Sequence, residues 1–201
     1  KKDRADKKKR ILHVSGLVPV KNIPGMLQVM KRLAGKREDF ELYIIGDSKF
    51  RGDFEQLASG LGIFNRVVFF QGGKSVAEVA AYMRDSDFLL LFSHYENSPC
   101  VIVEAMASGL PVIAPHVGGI PEIVNEKTGI LVKPGDEEEL LVALERMLNN
   151  YKDYDREYLR AEAVRRFSYE AVGQKFYDIY KDQKFCGVQG RFFKRAPGYQ
   201  G

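Results

Sequence analysis

Cysteine and histidine are scarce in this sequence, with two of the former and three of the latter among 201 residues. Cys100 and Cys186 are far apart and lack ligand spacing, and His13, His94 and His116 stand singly. A site of clustered thiolates and imidazoles is not a reading the chain supports, so no metal is expected, and the thiols are expected to be reduced, as in a cytosolic protein. Apolar runs long enough to span a bilayer are also missing, as is the apolar segment that would turn the lysine-rich start into a signal peptide. A soluble, cytoplasmic chain is the expectation.

What is present suffices for a core: 45% of residues are hydrophobic and 11% aromatic. The net charge of +4 is gathered at the ends. Residues 1–10 read as a basic linker, and residues 184–201, with the basic aromatic run Arg191, Phe192, Phe193, Lys194 and Arg195, as a mobile tail. The basic start admits peripheral contact with anionic headgroups at the inner face of a membrane. Nucleic acid is not expected as a partner, because no interleaved aromatic and basic stripe accompanies the charge.

Between the ends, extended and helical patterns alternate. Strands are predicted over 11–14, 40–45, 66–70, 88–92, 112–114 and 129–132, from short β-branched or aromatic runs bounded by glycine. Helices are predicted over 23–33, 54–61, 75–83 and 99–108, then 137–148, 155–167 and 169–180 with no further strand. This order predicts an α/β fold, a Rossmann-like parallel sheet flanked by helices, filling residues 11–183, with ligands at the carboxyl ends of its strands. Gly118, Gly119, Ile120, Pro121 and Glu122 form one such loop.

Two carboxylates eight positions apart bracket the helix predicted over 99–108. Ser98 is a suitable N-cap and Pro99 suits the first helical position, while Gly109 and Pro111 stop the helix. Its residues leave almost no polar face, so burial is expected nearly all round, with Glu104 in need of a partner. Glu96 lies just ahead of the helix N-terminus, where free N–H groups favour an anion, and Glu104 is roughly 9 Å further along the axis. Two acceptors flanking an anion site suit a ligand with hydroxyls on both sides of a phosphate group, the layout of a nucleotide sugar.

The stretch from Glu96 through Glu104 to Ala105, Met106, Ala107, Ser108, Gly109, Leu110 and Pro111 resembles the Glu-x7-Glu segment of GT-B fold retaining glycosyltransferases of family 4 (glycosyl transferases group 1). Lys21 with Asn22, Gly46 with Asp47, Gly72 at a strand end, and the Gly118–Gly119 loop match further motifs of its carboxy-terminal, donor-binding domain. The resemblance implies that Glu96 contacts the donor sugar and, with Lys21 on the diphosphate, forms the catalytic pair. It implies that Glu104 holds the ribose, that the backbone of Asn97, Ser98, Pro99, Cys100 and Val101 receives the distal phosphate, and that Phe70 and Gly72 border the base. The donor would be a UDP-, GDP- or ADP-linked sugar, bound without a cofactor or metal. The acceptor, a glycan, lipid or small molecule, would meet it across a cleft completed by an amino-terminal domain, so this domain alone is expected to bind donor without turning it over. One departure stands out: the family commonly carries Arg where this chain has Gly16. The alternatives are a non-enzymatic nucleotide-sugar binding domain, a sugar nucleotide epimerase of the same fold and, far behind, a glycoside hydrolase, whose paired carboxylates do not usually surround an anion site.

Overall fold

The structure is a computed structural model and describes residues 8–183. It contains β1 (Lys9–Val14), α1 (Ile23–Ala34), β2 (Phe40–Ile45), α2 (Arg51–Gly60), β3 (Val68–Gly72), α3 (Val76–Asp85), β4 (Phe88–Leu90) and α4 (Cys100–Ala107). These are followed by β5 (Val112–Pro115), α5 (Ile120–Ile123), β6 (Gly129–Val132), α6 (Glu137–Asn150), α7 (Arg156–Phe167) and α8 (Tyr169–Gln183). Lys9 and Arg10, read from sequence as linker, belong to β1, where they pair with Phe40 and Glu41. The remainder of the basic run up to Lys7 and the tail at 184–201 lie outside the described residues.

All six strands run parallel in the order β3-β2-β1-β4-β5-β6. This is the Rossmann-like α/β arrangement, and the order in which strands are added reverses between β1 and β4. There the two halves of the sheet wind away from each other and a crevice opens at the carboxyl ends.

The strands are apolar because both faces are covered. Ile11, Leu42, Ile44, Phe88 and Leu90 join one buried cluster with Met26, Met30 and Leu33 of α1 and Leu140, Leu144 and Leu148 of α6. Leu12 and Leu89 alternate with them and are equally buried. Each such side chain contributes about 2 kcal/mol on burial. Helix starts follow local chemistry. Asn22, at φ 49°, accepts from the Gly25 amide to open α1; Ser75 and Glu78 form a reciprocal capping box on α3; and Asp136 accepts from the Glu139 amide to open α6.

The chain divides into one unit up to Ala163 and another from Val164. The first holds the sheet. The second contains α8, which exposes Tyr169, Phe176, Tyr177, Ile179 and Tyr180. No helix among the described residues is long and apolar enough to cross a membrane.

Candidate functional site

The switch point assembles the site. Lys21 closes the short 3-10 helix Pro19–Lys21 that follows β1, and Glu96 lies in the loop that follows β4. Because β1 and β4 are neighbours, residues 75 positions apart meet: Lys21 Nζ donates to Glu96 Oε1 at 2.6 Å. The same oxygen accepts from the Ser93 hydroxyl at 2.7 Å. Ser93 is fully buried and Glu96 is 8% exposed, so the carboxylate is held by two donors with little water around it. A third link between the loops runs through the backbone, where the His94 amide donates to the Val20 carbonyl at 2.8 Å.

Beneath this pair lies His13, fully buried on β1. Its Nδ1 is 2.9 Å from the Leu90 carbonyl and its Nε2 is 2.7 Å from Ser15 Oγ. A carbonyl only accepts, so Nδ1 carries the hydrogen and Nε2 accepts from the serine hydroxyl. Burial pushes the His13 pKa down to about 4, outweighing the Leu90 hydrogen bond that raises it; the Lys21 charge also lowers it and Glu96 raises it. The imidazole is therefore a neutral brace at neutral pH.

The loop carrying Glu96 rests on the loop after β5. Gly118 has φ +52°, and a Cβ there would stand 1.9 Å from the Glu96 carbonyl oxygen. The Gly119 amide donates to the Asn97 carbonyl at 2.7 Å, which commits an amide that could otherwise have faced a ligand. Only glycine permits both the left-handed backbone and the close approach. Gly46, after β2, plays the same part against the Ser15 carbonyl, 1.8 Å from where its Cβ would be.

Helix α4 differs from the sequence expectation in two respects. Its N-cap is Pro99, in extended conformation with no side-chain cap bond, rather than Ser98. It is also buried on one side only: Ile102, Ala105 and Met106 are buried, Val101 and Val103 are half-buried, and Cys100 and Glu104 are exposed. The helix lies along β4 and β5, and its composition could not reveal that the other flank is uncovered within this unit. Burial is thus reversed between the two carboxylates. Glu96 is the enclosed, paired one. The Glu104 carboxylate has no hydrogen bond or ion pair among the described residues. The first-turn amides of Cys100 and Val101 have no intrahelical acceptor by helix geometry and sit between the two acids.

Phe70 and Gly72 end β3. Phe70 is half-buried against Phe64, with ring centroids 6.2 Å apart. Gly72, at φ +70°, accepts from the Gly46 amide at 3.0 Å and has Arg51 Nη1 close above it. With strands about 4.8 Å apart, β3 lies roughly 14 Å from β4, so these two residues are not gathered with Glu96 and Lys21. Ser93, His13 and Arg51 were not singled out for the site by sequence reasoning. Ser93, a polar residue directly after an apolar strand, was the one legible signal among them. No cluster of three or more His, Cys, Asp or Glu suited to a metal occurs among the described residues.

A doubly wound parallel sheet places its ligand crevice at the switch point, where Lys21, Glu96 and the start of α4 lie. Comparison with known proteins gives the family. Residues 1–165 match the model of glycosyl transferases group 1, and the chain belongs to that family. It is 33% identical over 168 residues to the MMP alpha-(1->4)-mannosyltransferase of Mycolicibacterium hassiacum, covering 82% of this chain and 40% of that protein. It is 30% identical over 190 residues to the N-acetyl-alpha-D-glucosaminyl L-malate synthase of Bacillus anthracis, covering 90% and 48%. Among solved structures, sucrose-phosphate synthase from Thermosynechococcus elongatus superposes with a TM-score of 0.79 at 27% identity, over 91% of this chain and 47% of that one. Anabaena HepE in complex with UDP superposes with a TM-score of 0.77 at 25% identity, over 88% and 49%. The chain thus spans about half the length of the proteins it matches.

Proposed function

We propose that the chain is the carboxy-terminal, donor-binding domain of a retaining, family 4 glycosyltransferase that moves a hexose-type sugar from a nucleotide diphosphate to an acceptor. The observation that carries the reading is the Lys21–Glu96 pair at the switch point, with the helix start of α4 and the unpartnered Glu104 carboxylate beyond it. HepE, which binds UDP and UDP-glucose in its solved complexes, shares this fold.

In this reading the diphosphate lies between the ammonium of Lys21 and the first amides of α4. Lys21 has three donors and gives one to Glu96, which leaves hydrogens for phosphate oxygens. Glu96 Oε1 is occupied by Lys21 and Ser93, so Oε2 is the atom turned to a sugar hydroxyl. Exposed Glu104 accepts from the ribose hydroxyls, and Phe70 and Gly72 line the base. No metal is needed: positive charge at Lys21 and the helix start stabilises the departing diphosphate, and fixed geometry supplies the rest. The acceptor and the other wall of the cleft belong to an amino-terminal domain, without which this chain binds donor but does not transfer it. The working site is on the cytoplasmic side.

Calorimetric titration with UDP, GDP and ADP tests the reading. One of the three binds, and Glu104→Ala weakens it by about tenfold, the loss of one or two charge-assisted hydrogen bonds. Binding by none, or binding indifferent to both Glu104→Ala and Lys21→Met, refutes it.

A further inference from the structure

A second concavity lies at the other end of the sheet. It has a volume of about 550 Å³ and is formed around the amino-terminal end of β6, the last turn of α6 and the first turn of α7. Strand β6 runs parallel to the rest, so this cavity opens away from the carboxyl ends where Lys21 and Glu96 meet. Its size falls within the range of small-molecule sites.

The floor is apolar and the rim is charged. Met147 is buried and Ile130 half-buried, and the rings of Tyr154 and Tyr158 stand beside them, each half-exposed. The Lys127 ammonium lies over the Tyr158 ring at 5.5 Å from its centroid. Burial raises the Tyr154 pKa against the pull of Arg146, so its phenol remains a neutral hydroxyl that both donates and accepts. Around the mouth stand two cations, Lys127 and Arg146, and three carboxylates, Glu126, Asp153 and Asp155. Asp155 is committed to capping α7 through the Glu157 and Tyr158 amides at 2.9 and 3.1 Å.

The mixture selects a ligand class by elimination. A phosphate or carboxylate ligand would meet Glu126 and Asp153 as well as Arg146, and a polyamine would meet Arg146 and Lys127 as well as the acids. An apolar ligand would strip water from all of them without replacing the hydrogen bonds. A neutral polyol satisfies donors and acceptors alike, because every hydroxyl is both, and its C–H faces lie flat on tyrosine rings. We propose that this cavity binds a neutral saccharide, one or two sugar units long, at a site remote from the switch-point crevice. In a family whose members transfer sugars, such a site would hold a length of glycan while the reacting end lies elsewhere. The proposal does not rest on the roles assigned to Glu96, Lys21 or Glu104.

The test is amide chemical-shift mapping of the isotope-labelled 201-residue chain against maltotriose and α-mannotriose at up to about 10 mM, the range of weak saccharide binding. At least one sugar shifts amides within 126–130 and 146–158, the shifts persist under saturation with whichever of UDP, GDP and ADP binds, and affinity falls about tenfold in Tyr158→Ala and in Arg146→Ala. Arg146 is exposed on α6, so its truncation leaves the fold intact even if the Tyr158 variant is unstable. Absence of shifts with both sugars overturns the proposal. So do shifts confined to the Glu96–Glu104 region that the bound nucleotide displaces, shifts unchanged in Arg146→Ala, or stronger shifts at the cavity from inorganic phosphate or spermidine. Binding of UDP, GDP and ADP in parallel samples reads the donor site separately, so failure at one site is distinguishable from failure at the other.

Discussion

Replacing Lys21 with methionine removes one half of an ion pair whose other half stays enclosed. At 2.6 Å and an effective dielectric of about 20, the gross attraction is about 6 kcal/mol, most of it offset by desolvating both charges. What the variant exposes is the uncompensated carboxylate. Loss of one partner from a buried pair costs about 3–5 kcal/mol. The Lys21 side chain is 20% exposed and Ser93 still donates to Glu96, which places this case near the lower end, at about 3 kcal/mol. For a domain of this size that is a fall in Tm of roughly 6–12 °C. Thermal and urea unfolding of Lys21→Met, Glu96→Gln and the double variant give the coupling directly. In the Glu96→Gln background the lysine substitution costs about 1 kcal/mol or less, a coupling of about 2 kcal/mol. Affinity of Lys21→Met for whichever of UDP, GDP and ADP binds falls at least tenfold, about 1.4 kcal/mol, because on the proposed reading the diphosphate loses the Lys21 ammonium. A Lys21→Met chain with unaltered Tm and unaltered binding of the nucleotide that binds the parent chain refutes the reasoning. A stability loss that is the same with glutamine at 96 refutes the ion-pair part of it.

Three further outcomes follow from the same geometry. Gly118→Ala forces a left-handed backbone on alanine and drives its Cβ into the Glu96 carbonyl, at 1.9 Å; it costs about 3 kcal/mol and weakens binding of whichever of UDP, GDP and ADP the parent binds, whereas Gly52→Ala, with open space around it, costs neither; urea midpoints and calorimetry are the checks. His13 is neutral in the folded chain down to about pH 4 but takes up a proton near pH 6.5 when unfolded. Its contribution is fully present above pH 6.5 and declines by up to about 3 kcal/mol as pH falls to 4, and His13→Leu flattens that slope in urea midpoints measured from pH 4 to 7. Gly16→Arg supplies the cation common in the family at a position where a Cβ meets nothing within 4 Å; whichever of UDP, GDP and ADP the parent binds is held about tenfold tighter, and unchanged or weaker binding sinks this expectation.

Much of the sheet was legible because strand periodicity and glycine stops act locally. Strands β2 and β6 have the bounds predicted, and α1 and α6 differ by one or two residues at their ends. Helix α2 begins three residues ahead of its predicted start, at Arg51, where no side-chain cap marks the entry. The four-residue helix α5, begun by Gly119 and Pro121, was read as loop because so short a turn has no periodicity to detect. Of the candidate site, the sequence located the helix between Glu96 and Gly109 to within a residue of its start, but not the exposure of Glu104, and the contact between Lys21 and Glu96 depends on β1 and β4 being neighbours, which is a property of the topology. For α4, an apolar sequence was taken for all-round burial. Cys100 and Val101 show that apolar composition reports how many faces can be covered, not how many are.

The contact of Gly118 with the Glu96 backbone ties two loops that are more than twenty residues apart into one inherited piece. Shuffling this chain with a relative of the same family is therefore not free to break anywhere. A crossover between Asn97 and Gly118 would join one parent's loop to another's glycine pair, and the join would succeed only where both parents place that pair at the same depth. Crossovers that carry the whole segment from Ser93 to Gly119 together would keep it intact, so this stretch is the natural unit to exchange between relatives.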